Sequence, residues 1–435
     1  MMGVVLSLIY LFLFLWIIKR SKFLQADGIP LNFHYLVMVL KVGGGFAVWA
    51  IYTYYYTDRS TSDTFKYFDD AMVVFSALPE NPSHYFRLIF GIGMDRQELQ
   101  VYFDQFVSWH SSYSYGIIND NPTVIRANAI VALFSQGYYA VHIVFMSFIS
   151  YVGSILIFRF LSDLKSIFRP FLFLSCFLLP TVLLWSNGVM KEPLLIFGLG
   201  LLLFSLQQLC NRKWKFIVLF VLASWLMLCI KPYVFLCTLP GMLIYVLISI
   251  SGTKRWAVKF TALHALLFLI AVKADWFYKP GNLIYILTKK REDFYNVARD
   301  QEAGSTISLP EIGRWWEWIL HWPEALWIAY FRPHLFEVRG LFYLPGSIEN
   351  AFFLILIVLY FIRFRKQELI MTPSWFFSLS FVLSMGIIIG STVPVLGAIV
   401  RYKMPALIFL CALCLPALNG VIDKFNLRNK KFLQR

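Results

Sequence analysis

An all-α, polytopic membrane helix bundle of about eleven transmembrane helices, with two long helical external loops, is what this sequence predicts. Three observations predict it. Hydrophobic residues make up 59% of the chain and charged residues only 14%, where soluble domains carry about a quarter charged. The apolar residues come in runs long enough to cross a bilayer core of about 30 Å. Basic residues gather in short clusters between alternate runs, which is the mark of loops on the cytoplasmic side.

The first run, near 2–18, lacks a basic stretch before it and a small-residue cleavage site after it, so it reads as a span with the amino terminus outside. Lys19, Arg20 and Lys22 follow on the inside, and a second span lies near 34–56. An external segment of 57–130 follows, acidic where the inner loops are basic. The third span, near 138–157, returns to Arg159, Lys165 and Arg169, and the fourth, near 170–185, leads out to the turn SNGVMKEP. The fifth, about 193–210, descends to the polar stretch 211–215. The run 214–250 is too long for one crossing at 1.5 Å per residue, and Lys231-Pro232 splits it into two that meet outside. Lys254, Arg255 and Lys259 mark the next inner turn. The eighth span, about 258–273, leads to a second external segment, 274–348. A ninth reaches Arg363, Arg365 and Lys366, and the last pair, near 374–390 and 403–419, ends in a basic tail from Lys424 to Arg435. Every inner loop is basic, and adding or dropping one helix would invert every later loop. The whole chain, 1–435, reads as one integral membrane domain without internal repeats.

The net charge of +15 does not point to nucleic acid, because its basic residues are scattered between apolar runs rather than gathered on one patch. The six cysteines lie in or beside apolar segments and imply neither a disulfide framework nor a zinc site.

Candidate chemistry begins in TDRSTSDTFKYFDDA, residues 57–71. Ser62 is placed to cap a helix in which Asp63, Tyr67 and Asp70 recur at i, i+4 and i+7, while Phe65, Phe68, Met72 and Phe75 fall on the other side. Such a helix at the outer surface buries its rings and turns its carboxylates towards a cavity. In the second external segment Trp315, Trp316, Trp318, Trp322 and Trp327 crowd together, predicting a helix in the headgroup layer, interrupted at Pro323. The outer face also carries Lys191 and Glu192, then Lys231, then Arg332, His334, Glu337 and Arg339, and finally Arg401 and Lys403. Acids come early, and cations late.

That division suits a lipid-linked sugar. A membrane-embedded phosphate or pyrophosphate needs cations at headgroup depth, and arginine grips phosphate oxygens bidentately. An acceptor hydroxyl needs a carboxylate to take its proton, with Asp63 the first choice and Asp70 the second. Plainer roles also fit: Lys191 or Glu192 as a cap of the fifth span, Lys231 as a snorkelling end residue, Arg332 with Glu337 as an internal salt bridge, His264 as a helix-packing residue. The glycines of FGLGLLL serve close helix packing rather than a phosphate loop.

Taken together, SDTFKYFDDA, WSNGVMKEPLLIFGLGLLL, IKPY, FRPHLFEVRG followed by SIENAFFL, and VPVLGAIVRYKMP resemble the polytopic proteins of bacterial surface-polysaccharide clusters. These are the integral-membrane glycosyltransferases of the GT-C class and the O-antigen or capsule polymerases. The resemblance covers most of the chain as a pattern of spans and outer loops. It implies a catalytic base at Asp63, beside which Asp70 and Tyr67 are read as orienting the acceptor. It also implies a donor undecaprenyl pyrophosphate gripped by Arg332 and Arg401, to which the reading of the residues adds Lys403 and Lys191. A later acidic pair of the GT-C type is missing unless Glu337 stands in for it, so no cofactor is assigned and a divalent metal is left open. The implied setting is the bacterial inner membrane, multi-pass, carboxy terminus cytoplasmic, with a polyprenyl-linked saccharide, membrane lipid and other polysaccharide-assembly proteins as partners. Two rival functions are a flippase for lipid-linked oligosaccharide, which predicts charges within the spans and matched broken helices, and a non-enzymatic scaffold.

Overall fold

A computed structural model of the chain describes residues 2–56, 58–59, 62–109, 120–164, 168–276, 281–300, 304–337, 343–363 and 371–418. Arg339, Lys165, Arg365, Lys366 and the basic tail from Lys424 lie outside the described residues. Those described form α-helices joined by short turns, with one isolated bridge between Thr306 and Val395. In chain order the helices are α1 (Met2–Arg20), α2 (Leu31–Ala50), α3 (Asp63–Glu80), α4 (Pro82–Phe90), α5 (Gln100–Phe103), α6 (Asp120–Ser135), α7 (Tyr139–Phe160), α8 (Arg169–Leu178), α9 (Pro180–Trp185) and α10 (Lys191–Cys210). There follow α11 (Ile217–Ile230), α12 (Pro232–Ser251), α13 (Trp256–Val272), α14 (Leu283–Asp300), α15 (Trp315–Leu320), α16 (Trp322–Phe331), α17 (Leu344–Arg363), α18 (Pro373–Thr392), α19 (Leu396–Tyr402) and α20 (Met404–Cys414).

Among the described residues, seven helical segments are long and apolar enough to cross a membrane: Met2–Arg20, Leu31–Tyr55, Tyr139–Asp163, Lys191–Cys210, Pro232–Ser251, Leu344–Ile362 and Pro373–Thr392. Counting α19 and α20, bent by 63° at Lys403, as one broken span makes eight. Sequence reasoning expected eleven. The other three expected positions hold the shorter apolar helices Arg169–Leu178, Trp214–Ile230 and Trp256–Val272. Pro180 explains one of them, since it cuts the expected fourth span into α8 and α9.

The chain divides into two compact units. The first holds Met1–Phe160, Cys176–Leu178 and Val182–Phe235; the second holds Leu161–Ser175, Leu179–Thr181 and Leu236–Arg435. In the first, α7 and α10 pack backbone to backbone. A Cβ on Gly153 would stand 2.5 Å from the Ile196 carbonyl oxygen, so only glycine permits the approach. Gly200 faces Gly153 from the other side, which is the packing role expected of FGLGLLL. In the second unit, Gly386 and Gly390 of α18 form a notch that takes Tyr330 and the Ala325 backbone of α16. The tryptophan segment breaks at His321, and Pro323 sits in the first turn of the second piece, where a missing N–H is harmless. Its rings divide: Trp318 is buried and donates to Ser391 Oγ at 2.8 Å, while Trp315, Trp316 and Trp327 remain exposed.

Candidate functional site

In the first unit two ion pairs form around the start of α10. Met190 is extended and Lys191 opens the helix, so Lys191 and Glu192 diverge from consecutive positions. Lys191 Nζ lies 2.5 Å from Asp120 Oδ2 in the first turn of α6, and 5.4 Å from the ring centroid of Tyr67 on α3. Glu192 turns the other way, to Lys231 Nζ at 2.9 Å. Pro232 forces the break between α11 and α12 that presents Lys231. Lys231 is therefore a buried ion-pair partner, not a snorkelling end residue.

The first turn of α6 is held from both sides. Tyr67 donates its hydroxyl hydrogen to Asn121 Oδ1 at 3.2 Å, Asn121 Nδ2 donates to the Ser108 carbonyl at 2.9 Å, and Thr123 Oγ1 donates to the Cys229 carbonyl at 3.3 Å. Asp70 is wholly buried and accepts from the Val107 amide (2.8 Å), the Ser108 amide (2.8 Å) and the Ser108 hydroxyl (2.6 Å). The open acidic face expected on α3 is thus closed at Asp70, because residues 107–108 lie over it and fill its oxygens. Ser62 stands at the cap position, but its hydroxyl donates to the Asp58 carbonyl rather than capping α3. Asp63, half-buried in the first turn, shares its helix face with Tyr67.

The second unit holds the later candidates. Arg332, which ends α16, donates through Nε to Glu337 at 2.9 Å, and its second nitrogen contacts the same carboxylate. The His334 amide adds a bond to Glu337 at 2.9 Å, and His334 Nε2 lies 3.8 Å away. Partial burial works against the Glu337 charge, but the Arg332 bond and charge and the His334 amide outweigh it and hold its carboxyl below the ordinary glutamate value. The salt-bridge role considered for Arg332 and Glu337 is the one seen. Lys403, fully buried at the bend between α19 and α20, donates to Asn350 Oδ1 (2.7 Å) and to the carbonyls of Arg332 (3.2 Å) and Tyr330 (3.5 Å). Its donors are taken, so it holds the end of α16 instead of reaching for a ligand. Next to Asn350, buried Glu349 accepts from the amide and hydroxyl of Thr181. Arg401 is half-buried in the last turn of α19. His264 bonds Phe260 and Ser380, both at 2.8 Å, as a helix-packing residue does.

No family model, curated protein or solved structure matches the chain.

Of the sequence-predicted residues, Tyr67, Lys191, Glu192 and Lys231 meet in the first unit, where Asp63 and Asp70 also belong. Arg332, His334, Glu337, Arg401 and Lys403 belong to the second. Sequence reasoning passed over Asp120, Asn121, Glu349, Asn350 and Lys41. The signal for the first two was Asp-Asn-Pro opening an apolar run, a helix-start pattern. Glu349, Asn350 and Lys41 were visible as polar groups inside apolar runs. Among the described residues, no three of His, Cys, Asp and Glu gather closely enough to hold a metal ion.

Proposed function

We propose that the chain is a membrane glycosyltransferase or polysaccharide polymerase that uses a polyprenyl-(pyro)phosphate-linked sugar donor at the periplasmic face. One observation carries this: Lys191, paired with Asp120 and seated over Tyr67, brings a cation to the helix that carries Asp63. Transfer of a sugar from a lipid phosphate needs a cation where charge develops on the leaving group and a carboxylate near the acceptor hydroxyl. Asp63 takes the acceptor proton, Tyr67 fixes the neighbouring turn, and Asp70 anchors the segment that closes over α3. Lys191 meets the leaving phosphate.

The supporting topology has eleven crossings, the three short apolar helices included, with residues 57–130 and 274–348 outside, the amino terminus outside and the carboxy terminus in the cytoplasm of a bacterial inner membrane. A reporter fused within 57–130 should be active in the periplasm.

One observation favours a second function, a flippase. Lys41, fully buried in the middle of the span Leu31–Tyr55, bonds Ser186 Oγ at 2.9 Å and lies 5.9 Å from the Phe177 ring, with no carboxylate paired to it among the described residues. Charge inside a span is what a transporter uses. Deleting the gene separates the two. Loss of a polymerase leaves single lipid-linked repeat units outside the membrane, and loss of a flippase strands them inside.

A further inference from the structure

Two lysines stand at the start of α10, and they are held differently. Lys231 closes on Glu192 with side chains only 7% and 0% exposed, whereas Lys191 closes on Asp120 with 12% and 43% exposed. Opening the first pair would strand a buried ammonium; opening the second leaves a carboxylate that already faces water. Lys191 has a second contact besides Asp120, because its ammonium lies 5.4 Å from the ring centroid of Tyr67, whose hydroxyl is tied to Asn121. As the first residue of α10 it also stands where the helix dipole opposes a cation, so an anion is needed beside it. Asp120 is that anion here.

This step rests on the glycosyl-transfer function and specifies how its donor is admitted. We propose that Asp120 is an internal stand-in for a diphosphate: the phosphate-bearing headgroup displaces the Asp120 carboxylate from Lys191 Nζ, and the resting pair keeps the empty site neutral. No covalent bond changes; one ion pair replaces another. A diphosphate competes well because it brings several charged oxygens to one ammonium, where Asp120 engages it through a single oxygen. Glu192 cannot substitute, since its carboxylate is spent on Lys231.

The test uses the full chain in detergent at low salt, titrated by calorimetry with inorganic pyrophosphate and, separately, with farnesyl pyrophosphate. The wild type should bind weakly. Asp120→Asn removes the competitor and should bind about fivefold tighter, the scale of a part-exposed ion pair; Asp120→Ala should repeat the gain, and adding Lys191→Met to either should abolish it. If Asp120 were only a structural tie, its loss would lower the melting temperature and bring no gain in affinity. That outcome, or a gain that survives without Lys191, overturns the proposal. Tighter capture of farnesyl than of inorganic pyrophosphate supports a lipid headgroup as the source; equal capture rejects the lipid in favour of a free diphosphate. Anion exchange of this kind in a protein whose deletion leaves surface glycan unchanged would defeat the glycosyl-transfer function while the lock stands, so the two can fail separately.

Discussion

Glu192 and Lys231 stand 39 residues apart and meet at 2.9 Å, the glutamate wholly buried and the lysine nearly so. Breaking a buried pair leaves an uncompensated charge, so Glu192→Gln or Lys231→Met should each destabilise the folded protein by about 3–5 kcal/mol. Replacing both residues should cost well under the sum. Thermal unfolding of the three variants in one detergent gives the coupling, and additive losses would mean that the pair is not formed.

Asp70 fills its oxygens with two backbone amides and a hydroxyl. Charge-assisted bonds of this kind contribute about 1.5–3 kcal/mol each. Asp70→Asn keeps the shape but loses the charge and turns a donor towards donors. Hydrogen exchange at the Val107 and Ser108 amides should accelerate in this variant while α7 stays protected. Unchanged exchange there would remove Asp70 as the anchor of that segment.

Gly153 decides how closely α7 and α10 approach. Gly153→Ala places a methyl group 2.5 Å from the Ile196 carbonyl oxygen, and the helices must part or the chain must strain, by about 1–3 kcal/mol. A lower melting temperature in Gly153→Ala, with little change in Gly43→Ala where a Cβ meets open space, checks this.

Glu337 carries a pH dependence with a definite sign. Its carboxyl ionises below the ordinary value of 4.5 because Arg332 and His334 favour the charged form over the opposing effect of burial. A depressed folded-state value means stability that is full above about 4.5 and fades as the pH falls through the lower folded value. Between those limits the wild type should lose stability on acidification more steeply than Glu337→Gln. Parallel curves for the two proteins would contradict the pairing.

The helical, membrane-spanning class was legible because long apolar runs leave few alternatives, and the runs near 2–18, 34–56 and 138–157 fall on helices of matching extent. The close-packing role of the glycines in FGLGLLL was legible too, since small residues in an apolar helix have few other uses, but their partner helix α7 was not. What a charged residue does was not legible, because it depends on which distant group comes to meet it. Lys231 and Lys403 were read as outer-face cations and are buried; the Arg332–Glu337 salt bridge, between residues only five apart, was among the roles considered. Asp120 counted only as one acid of the external segment, because its partner, Lys191, is 71 positions away. Asp70 was read as half of an open acidic face because nothing in its own helix announces that residues 107–108 will cover it.

The most direct measurement is transfer itself. The purified chain is reconstituted in liposomes with lipid-linked saccharide extracted from the cells that make it, and the products are sized by mass spectrometry. The account predicts that the wild type lengthens or transfers the glycan with release of polyprenyl (pyro)phosphate, and that Asp63→Asn and Lys191→Met, inserted in equal amounts, do so at least about a hundredfold more slowly. Full transfer by Asp63→Asn, or none by the wild type with its own lipid-linked substrate, would contradict it.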